Sequence, residues 1–147
     1  MNASYVPGMR LLFALILFVA PAQAWEFSPT PVCTLSHDEG ATRIEVTYDN
    51  GTRLYAIAVT AAEVWPNAPS FSMRFDGGRP NTISTTRHST AGRTLTVMDT
   101  GFGNVLDGLE FNTTATAFTQ TAAVTVSLEG APEPVQRFRA CAAALTS

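Results

Sequence analysis

The sequence contains no lysine, and all nine of its basic side chains are arginine. An arginine guanidinium stays protonated and forms no Schiff base, so lysine-dependent chemistry is excluded. Charged residues make up only 14% of the chain, and the formal net charge is −3. Nucleic-acid binding requires clustered positive charge that neutralises phosphates, and none is present here. Nucleic acid is therefore not an expected partner.

Cysteine is also scarce, since Cys33 and Cys141 are the only two. They lie too far apart for a C-x-x-C redox motif, and two thiols alone are too few for a zinc site. In an oxidising compartment an even pair usually forms a bridge. The sequence therefore predicts a structural disulfide between the two ends of the mature chain, and it predicts no metal and no cofactor.

Long hydrophobic runs are absent as well. The longest, residues 11–20, has about half of the roughly 20 residues that a membrane span needs. Arg10 precedes it, and small residues at the −3 and −1 positions, Ala22 and Ala24, follow it. This pattern is typical of a secretory signal peptide and fits an uncleaved anchor or a buried helix less well. We expect cleavage after Ala24, no membrane span in the mature chain, and a periplasmic or secreted location.

Removal of residues 1–24 from the 147 leaves 123, which is the length of one domain. What this domain does contain is a series of short alternating runs separated by turn residues. The clearest pair, residues 42–48 and 53–59, flanks Asn50-Gly51, which is a strong hairpin signature because both residues accept the positive φ of a type I′ turn. Residues 25–31 form an extended lead-in that suits a sheet edge, while residues 37–40 and 88–92 are predicted as a turn and a loop. The predicted strands are 32–35, 42–48, 53–59, 70–75, 81–86, 93–98 and 123–128.

Two segments have helical spacing instead. Residues 104–111 predict a short helix with Asn104 as its N-cap, although Gly108 weakens it. A terminal helix begins at Pro132 and carries an apolar stripe that points Cys141 towards Cys33, while residues 142–147 are expected to fray. The predicted fold is therefore mainly β: an antiparallel β-sandwich or flattened barrel of about seven strands with a short helix and a C-terminal helix.

No motif of a known catalytic class is present: there is no G-x-S-x-G elbow, no P-loop and no complete dinucleotide motif. The run 37–39 holds three potential metal ligands, but adjacent residues diverge, so a solvated turn is favoured over a metal site. His88 can be drawn into a triad with Ser84 or Ser89 and either Asp76 or Asp99, yet an exposed loop histidine is the simpler interpretation.

Two further patterns have simple alternatives. Asp107 and Glu110 have the spacing of paired carboxylates on a helix, but nothing else indicates a sugar cleft. Asn50 and Asn112 each begin a glycosylation acceptor pattern, which is short and common.

Several aromatic and basic residues are not assigned to a core face. Exposed aromatic and arginine side chains dominate recognition sites, so these residues are candidates for a binding surface, with core packing of the aromatics as the alternative. They are Trp25, Trp65, Arg79, Arg87, His88 and Phe102.

The motifs "WEFSPTPVCTLSH", "FSMRFDG", "TIST" and "GFGNVLDGLEF" resemble short secreted alphaproteobacterial proteins. The tail "AVTVSLEGAPEPVQRFRAC" looks like the end of invasion-associated locus B family domains, in which a strand is followed by a short helix. The resemblance covers about the last third of the chain. It implies a β-sandwich exported to the periplasm and no catalytic residues. The additional cysteines common in that family are absent here.

These observations together predict a non-enzymatic exported binding or interaction module whose ligand or envelope partner is unknown. One alternative is a subunit of an envelope assembly, in which an edge strand or the arm at residues 25–31 pairs with another chain. A second alternative is a small hydrolase that depends on His88 or His37.

Overall fold

The computed structural model describes residues 7–8, 13–18 and 24–146. The elements in this part of the chain are β1 (Glu26–Ser28), β2 (Cys33–Glu39), β3 (Thr42–Asp49), β4 (Leu54–Thr60), β5 (Phe71–Gly77), β6 (Asn81–Thr85), β7 (His88–Ala91), β8 (Thr94–Asp99), α1 (Gly103–Phe111), β9 (Asn112–Phe118), β10 (Ala123–Ser127) and α2 (Pro132–Thr146).

The strands form two antiparallel sheets. One has the order β1-β2-β3-β4-β8-β7, and the other has the order β10-β9-β5-β6. Alternate side chains of both sheets point inward and form one core, in which Phe75, Leu35, Ile57 and Leu95 are among the largest fully buried side chains. The prediction of a mainly β fold with two helices is confirmed. Of the two architectures predicted, the sandwich is correct, because each sheet keeps two free edges instead of closing on the other.

The described part of the chain has ten strands where about seven were expected, and the three additional ones are β1, β7 and β9. The lead-in segment does form an edge strand, β1, which pairs with β2. Residues 88–91 form β7 and not a loop, because they pair with β8. Strand β9 has no predicted counterpart, although it lies inside its sheet between β5 and β10. Its inward residues, Ala115 and Ala117, are small and give a weak hydrophobic pattern.

The β3–β4 hairpin is confirmed, but its turn is not of the predicted type. Asp49 pairs with Leu54, so the loop has four residues, and its positive φ of 58° belongs to Arg53. The Asp49 carboxylate accepts a hydrogen bond from the Gly51 N–H at 2.8 Å. An aspartate that bonds the backbone two residues further on stabilises this wider turn, and this interaction replaces the type I′ geometry.

The terminal helix α2 packs its predicted stripe, Val135, Phe138 and Ala142, into the core. The disulfide between Cys33 and Cys141 is present, with their Cα atoms 6.0 Å apart and a sequence separation of 108. The expected fraying from residue 142 is wrong, because the helix continues to Thr146. Burial of Ala142 at 3% exposure holds the last turns against the domain.

Helix α1 begins at Gly103, so its N-cap is Phe102 and not Asn104, which lies within the first turn. The first helical hydrogen bond runs from the Leu106 N–H to the Phe102 carbonyl at 2.8 Å. Gly108 is buried against Phe75, and a Cβ atom at Gly108 would lie 2.4 Å from a ring carbon of Phe75. The glycine that weakens the helical pattern thus allows α1 to approach the sheet closely.

The predicted signal peptide lies largely outside the described residues. Where its apolar run is described, Phe13, Leu15, Ile16, Leu17 and Phe18 are 73% to 92% exposed, so this part does not pack into the core. Ala24 is exposed, whereas Trp25 is 3% exposed. Within the described ranges, no helix is long and apolar enough to cross a membrane.

Candidate ligand-binding site

A cavity of about 450 Å³ lies between the two sheets, where β8 faces β5 and β6. Its floor combines Ile57 from one sheet with Phe71 and Met73 from the other, and all three side chains are buried. Ile83 on β6 and Val97 on β8 form the walls. The interior is apolar because these strands direct alternate side chains inward while no neighbouring element fills the space between them.

Polar side chains surround the mouth of this cavity. Arg87 lies in the β6–β7 turn, where its backbone N–H donates a hydrogen bond to the Thr85 hydroxyl at 3.0 Å. Its guanidinium is exposed, and no described residue forms a salt bridge with it. Asp99 is the acidic residue at the mouth, and its Oδ1 accepts hydrogen bonds from the N–H and hydroxyl of Thr100 at 2.6 and 3.3 Å.

The first turn of α1 also lines the cavity through Gly103, Asn104 and Val105. The first N–H groups of a helix have no intrahelical acceptor and carry partial positive charge. The N-cap Phe102 has no side chain that accepts a hydrogen bond from them, and the first turn contains no acidic residue. The helix therefore presents uncapped donors to the same mouth as Arg87.

Phe102 connects the cavity to an aromatic cluster beneath α2. Its ring stacks on Tyr55 at a centroid distance of 5.5 Å, and Tyr55 in turn contacts Tyr48 at 4.6 Å and Phe138 at 6.2 Å. Burial raises the pKa of Tyr55, and Tyr48 raises this pKa further, while the positive charge of Arg139 opposes the shift. The neutral form of Tyr55 is therefore favoured within this aromatic cluster.

Of the six residues predicted as a binding surface, the structure brings Arg87 and Phe102 together at the cavity. Trp25 is buried at the β1 side of the sandwich, where its indole N–H donates to the Ser127 carbonyl at 3.0 Å. Trp65 is buried as well, and its indole N–H donates to the Val59 carbonyl at 3.0 Å. Both tryptophans thus serve as packing residues, which corresponds to the alternative interpretation of the sequence.

The remaining two residues of the predicted binding surface, Arg79 and His88, contact other groups. The Arg79 guanidinium lies over the Phe111 ring at 4.0 Å. His88 is within hydrogen-bond distance of the Ala68 carbonyl, 3.0 Å from Nε2, and contacts the Phe71 ring at 6.2 Å. A histidine Nε2 that faces a carbonyl carries the proton, so His88 is oriented by the backbone next to the cavity floor.

The groups drawn as a triad with His88 have different partners. Ser84 shares a hydrogen bond with Ser72 at 2.7 Å, Asp76 pairs with Arg74 at 3.1 Å, and Asp99 binds Thr100. The helical carboxylates of Asp107 and Glu110 both pair with Arg139 of α2, at 2.6 and 3.1 Å. These ion pairs join the two helices, so a structural role accounts for the carboxylate spacing.

The expected turn at residues 37–40 is wrong for His37, because β2 extends to Glu39 and alternation directs His37 inward after Cys33 and Leu35. The imidazole is 3% exposed and stacks on the Trp25 indole at 4.7 Å. Its Nε2 lies 3.6 Å from the Glu39 carboxylate, which accepts a hydrogen bond from the Ser127 N–H. Within residues 7–8, 13–18 and 24–146, no group of three His, Cys, Asp or Glu side chains could hold a metal ion.

Asn112 is 8% exposed, and its side chain makes three hydrogen bonds. It accepts from the Arg79 N–H at 2.9 Å and donates to the carbonyls of Arg79 and Gly108 at 2.8 and 3.0 Å. The side chain therefore fastens the β5–β6 turn to the end of α1, and its nitrogen is not accessible as a glycosylation acceptor in the folded domain.

A second groove of about 600 Å³ lies between residues 61–66 and the β9–β10 turn. Glu63 is its charged lining residue, and Val64 is 67% exposed beside it. Its lining comes from the 61–66 loop, the β9–β10 turn and the start of β10, and it lacks the large apolar core side chains that form the floor of the first cavity.

The residues that form the cavity floor were not recognisable as site residues in the sequence. Ile57, Phe71 and Met73 lie at ordinary inward positions of alternating strands, and no sequence signal separates a core residue that contacts protein from one that borders a cavity. Comparison of the chain with protein-family models, with curated proteins and with solved structures finds no match.

Proposed function

We propose that this protein is an exported, non-enzymatic binding module that holds a small, largely apolar molecule in the cavity between β8 and β5–β6. The observation that carries the proposal is the apolar floor, which both sheets contribute and which opens to solvent beside α1. Small-molecule sites are typically concave, mostly apolar and about 300–1,000 Å³ in volume, with a few polar groups that orient the ligand. The volume and the placement of polar residues at the mouth agree with this description.

Export to the periplasm or the cell exterior is part of the proposal. The disulfide supports it, because such bridges persist in oxidising compartments. The position of Trp25 also supports it, since this residue is deeply buried and directly follows the predicted cleavage site. The resemblance to the invasion-associated locus B family agrees with export and stays a prediction, because none of the comparisons bears on it.

We expect the protein recovered after expression of the full chain in a Gram-negative host to begin at Trp25. Signal peptidase requires the small residues Ala22 and Ala24, and the described residues 13–18 of the apolar run are exposed and contribute nothing to the core. N-terminal sequencing of the periplasmic fraction measures this directly. Recovery of intact Met1 from cytosolic material with two free thiols would overturn the export proposal.

Ligand binding is tested with a neutral naphthylamine dye that fluoresces in apolar sites. The substitution Ile83→Trp places a large ring in the cavity wall on edge strand β6, so we expect dye affinity to fall by at least about tenfold, the effect of losing roughly 1.4 kcal/mol. The control is Val64→Trp, which adds the same ring to the second groove. Equal dye affinity in wild type and Ile83→Trp, with both proteins folded, would contradict the cavity as the site.

An envelope-assembly subunit is the second candidate. The edge strands β6 and β10 each have five residues and one free side, which is the feature that strand addition uses. The arm at residues 25–31 supports this candidate less, because β1 already pairs with β2 of its own chain. Crosslinking in intact cells separates the two candidates, since a monomer there counts against the assembly.

A further inference from the structure

We infer that the ligand is an amphipathic carboxylate, with its hydrocarbon chain in the cavity and its acidic head at the mouth beside Arg87. This inference rests on the proposed function, because it specifies the class of molecule that the same cavity binds. It depends on two properties that lie next to each other, an apolar interior and a cation at the mouth without an ionic partner.

The interior excludes a polar ligand body. The floor residues Ile57, Phe71 and Met73 offer no hydrogen-bonding side chain, and Ile83 and Val97 beside them are also apolar. A polar group buried there without a partner loses its hydration with no compensation. A hydrocarbon chain has no hydrogen bonds to water to lose in the same transfer, and it gains from burial of its apolar surface.

The mouth selects the head group. Arg87 is the only basic residue among those lining the cavity, and its side chain forms no salt bridge with any residue in the described part of the chain. A guanidinium presents paired N–H donors in a planar fork that matches a carboxylate. A ligand carboxylate bound to Arg87 also lies near the uncapped first turn of α1, where the helix dipole favours negative charge.

Asp99 is the charge that opposes a carboxylate at this mouth. Two hydrogen bonds from Thr100 already satisfy its Oδ1, so Asp99 does not need a ligand as a partner. Its negative charge nevertheless weakens the binding of an anion nearby. The inference therefore makes opposite predictions for the two mouth residues, because removal of Arg87 should weaken carboxylate binding while removal of the Asp99 charge should strengthen it.

The test compares decanoate, decanol and decylamine, which share one chain length and differ in head-group charge. Each of the three molecules is titrated, below its aggregation limit, into protein recovered after expression of the full chain. The readout is displacement of the bound dye. We expect decanoate to bind about tenfold more tightly than decanol, as one charge-assisted hydrogen-bonded contact allows. Arg87→Gln should remove this preference, Asp99→Asn should increase it, and Arg93→Gln, an exposed arginine outside the cavity, should leave it unchanged.

Each contrary result has a distinct meaning. Equal binding of decanoate and decanol would overturn the carboxylate inference and leave the proposed function standing. Tightest binding of decylamine would also overturn the inference, since Asp99 would then select the head group. If neither the dye nor any of the three molecules binds to folded protein, the proposed function fails together with the inference.

Discussion

Replacement of both cysteines, Cys33→Ala with Cys141→Ala, is expected to lower the free energy of unfolding by up to about 4.7 kcal/mol. The bridge closes a loop across a sequence separation of 108, and in the chain-entropy model a loop of about 100 residues is worth that amount. The disulfide restricts the unfolded chain, and it also holds α2 against β2 at the point where Cys33 is 1% exposed. Chemical unfolding followed by tryptophan fluorescence measures the difference.

The matched control is the wild-type protein kept in excess reductant, which breaks the same bond without changing the cysteines to alanine. Both forms should lose a similar amount of stability, and the double variant should keep the native far-ultraviolet spectrum because Val135 and Phe138 still anchor α2. An unfolding midpoint that is identical for the oxidised protein and both disrupted forms would show that the bridge contributes nothing to stability.

Gly108→Ala is expected to lower the free energy of unfolding by about 1–3 kcal/mol, although alanine favours a helix by about 1 kcal/mol relative to glycine. Phe75 makes the net change in the free energy of unfolding unfavourable. Its ring carbons would lie 2.4 to 2.5 Å from the added Cβ, well inside van der Waals contact. Phe75 is fully buried, so its ring cannot turn out into solvent to make room. Helix α1 must therefore shift away from the sheet, which disturbs the contacts at its base.

A double-mutant cycle identifies this cause. Phe75→Leu removes the ring, so Gly108→Ala should cost less in that background, and the difference is the coupling energy of the pair. Gly103→Ala provides the control in the same helix, because a Cβ there meets nothing within 4 Å. If Gly108→Ala is as stable as wild type, the close packing of α1 on the sheet does not constrain this position.

The two lateral sides of the sandwich have different roles in this proposal. On the β1 and β10 side, Trp25 and Glu39 both bond to the Ser127 backbone, and His37 stacks beneath Trp25. This cluster closes the space between the sheets. On the β6 side, Ile83 of β6 and Val97 of β8 border the cavity, which opens to solvent there. Trp25 and His37 therefore stabilise one side of the sandwich, while the cavity lies on the other.

Local patterns in the sequence predicted the structure correctly where the regular spacing of apolar residues defines one face of a strand or helix. The alternation of Ile44, Val46 and Tyr48 predicted an inward face, and all three are buried. The stripe on α2 likewise predicted both its packing and the direction of Cys141. These predictions succeed because strand and helix geometry determine which side chains share a face, whatever the face packs against.

Strand β9 and the burial of His37 were not predictable in this way. The run "NTTATAF" places small residues, Ala115 and Ala117, at inward positions beside the larger Phe75 and Met73 of the neighbouring strand β5. His37 is polar, so its sequence context indicated solvent, whereas the extension of β2 and the stacking of Trp25 direct it inward. Partners that are distant in sequence decide both cases.

The amino-acid sequence by itself determined the secretory leader pattern, the mainly β class, the β3–β4 hairpin and the pairing of the two cysteines, because each depends on composition or on short-range periodicity. Only the tertiary structure decided that Arg87 and Phe102 meet at a cavity while Trp25, Trp65, Arg79 and His88 have other partners. The reason is physical: a cavity is space that packed elements leave unfilled, and its position depends on how two sheets and a helix are arranged against each other.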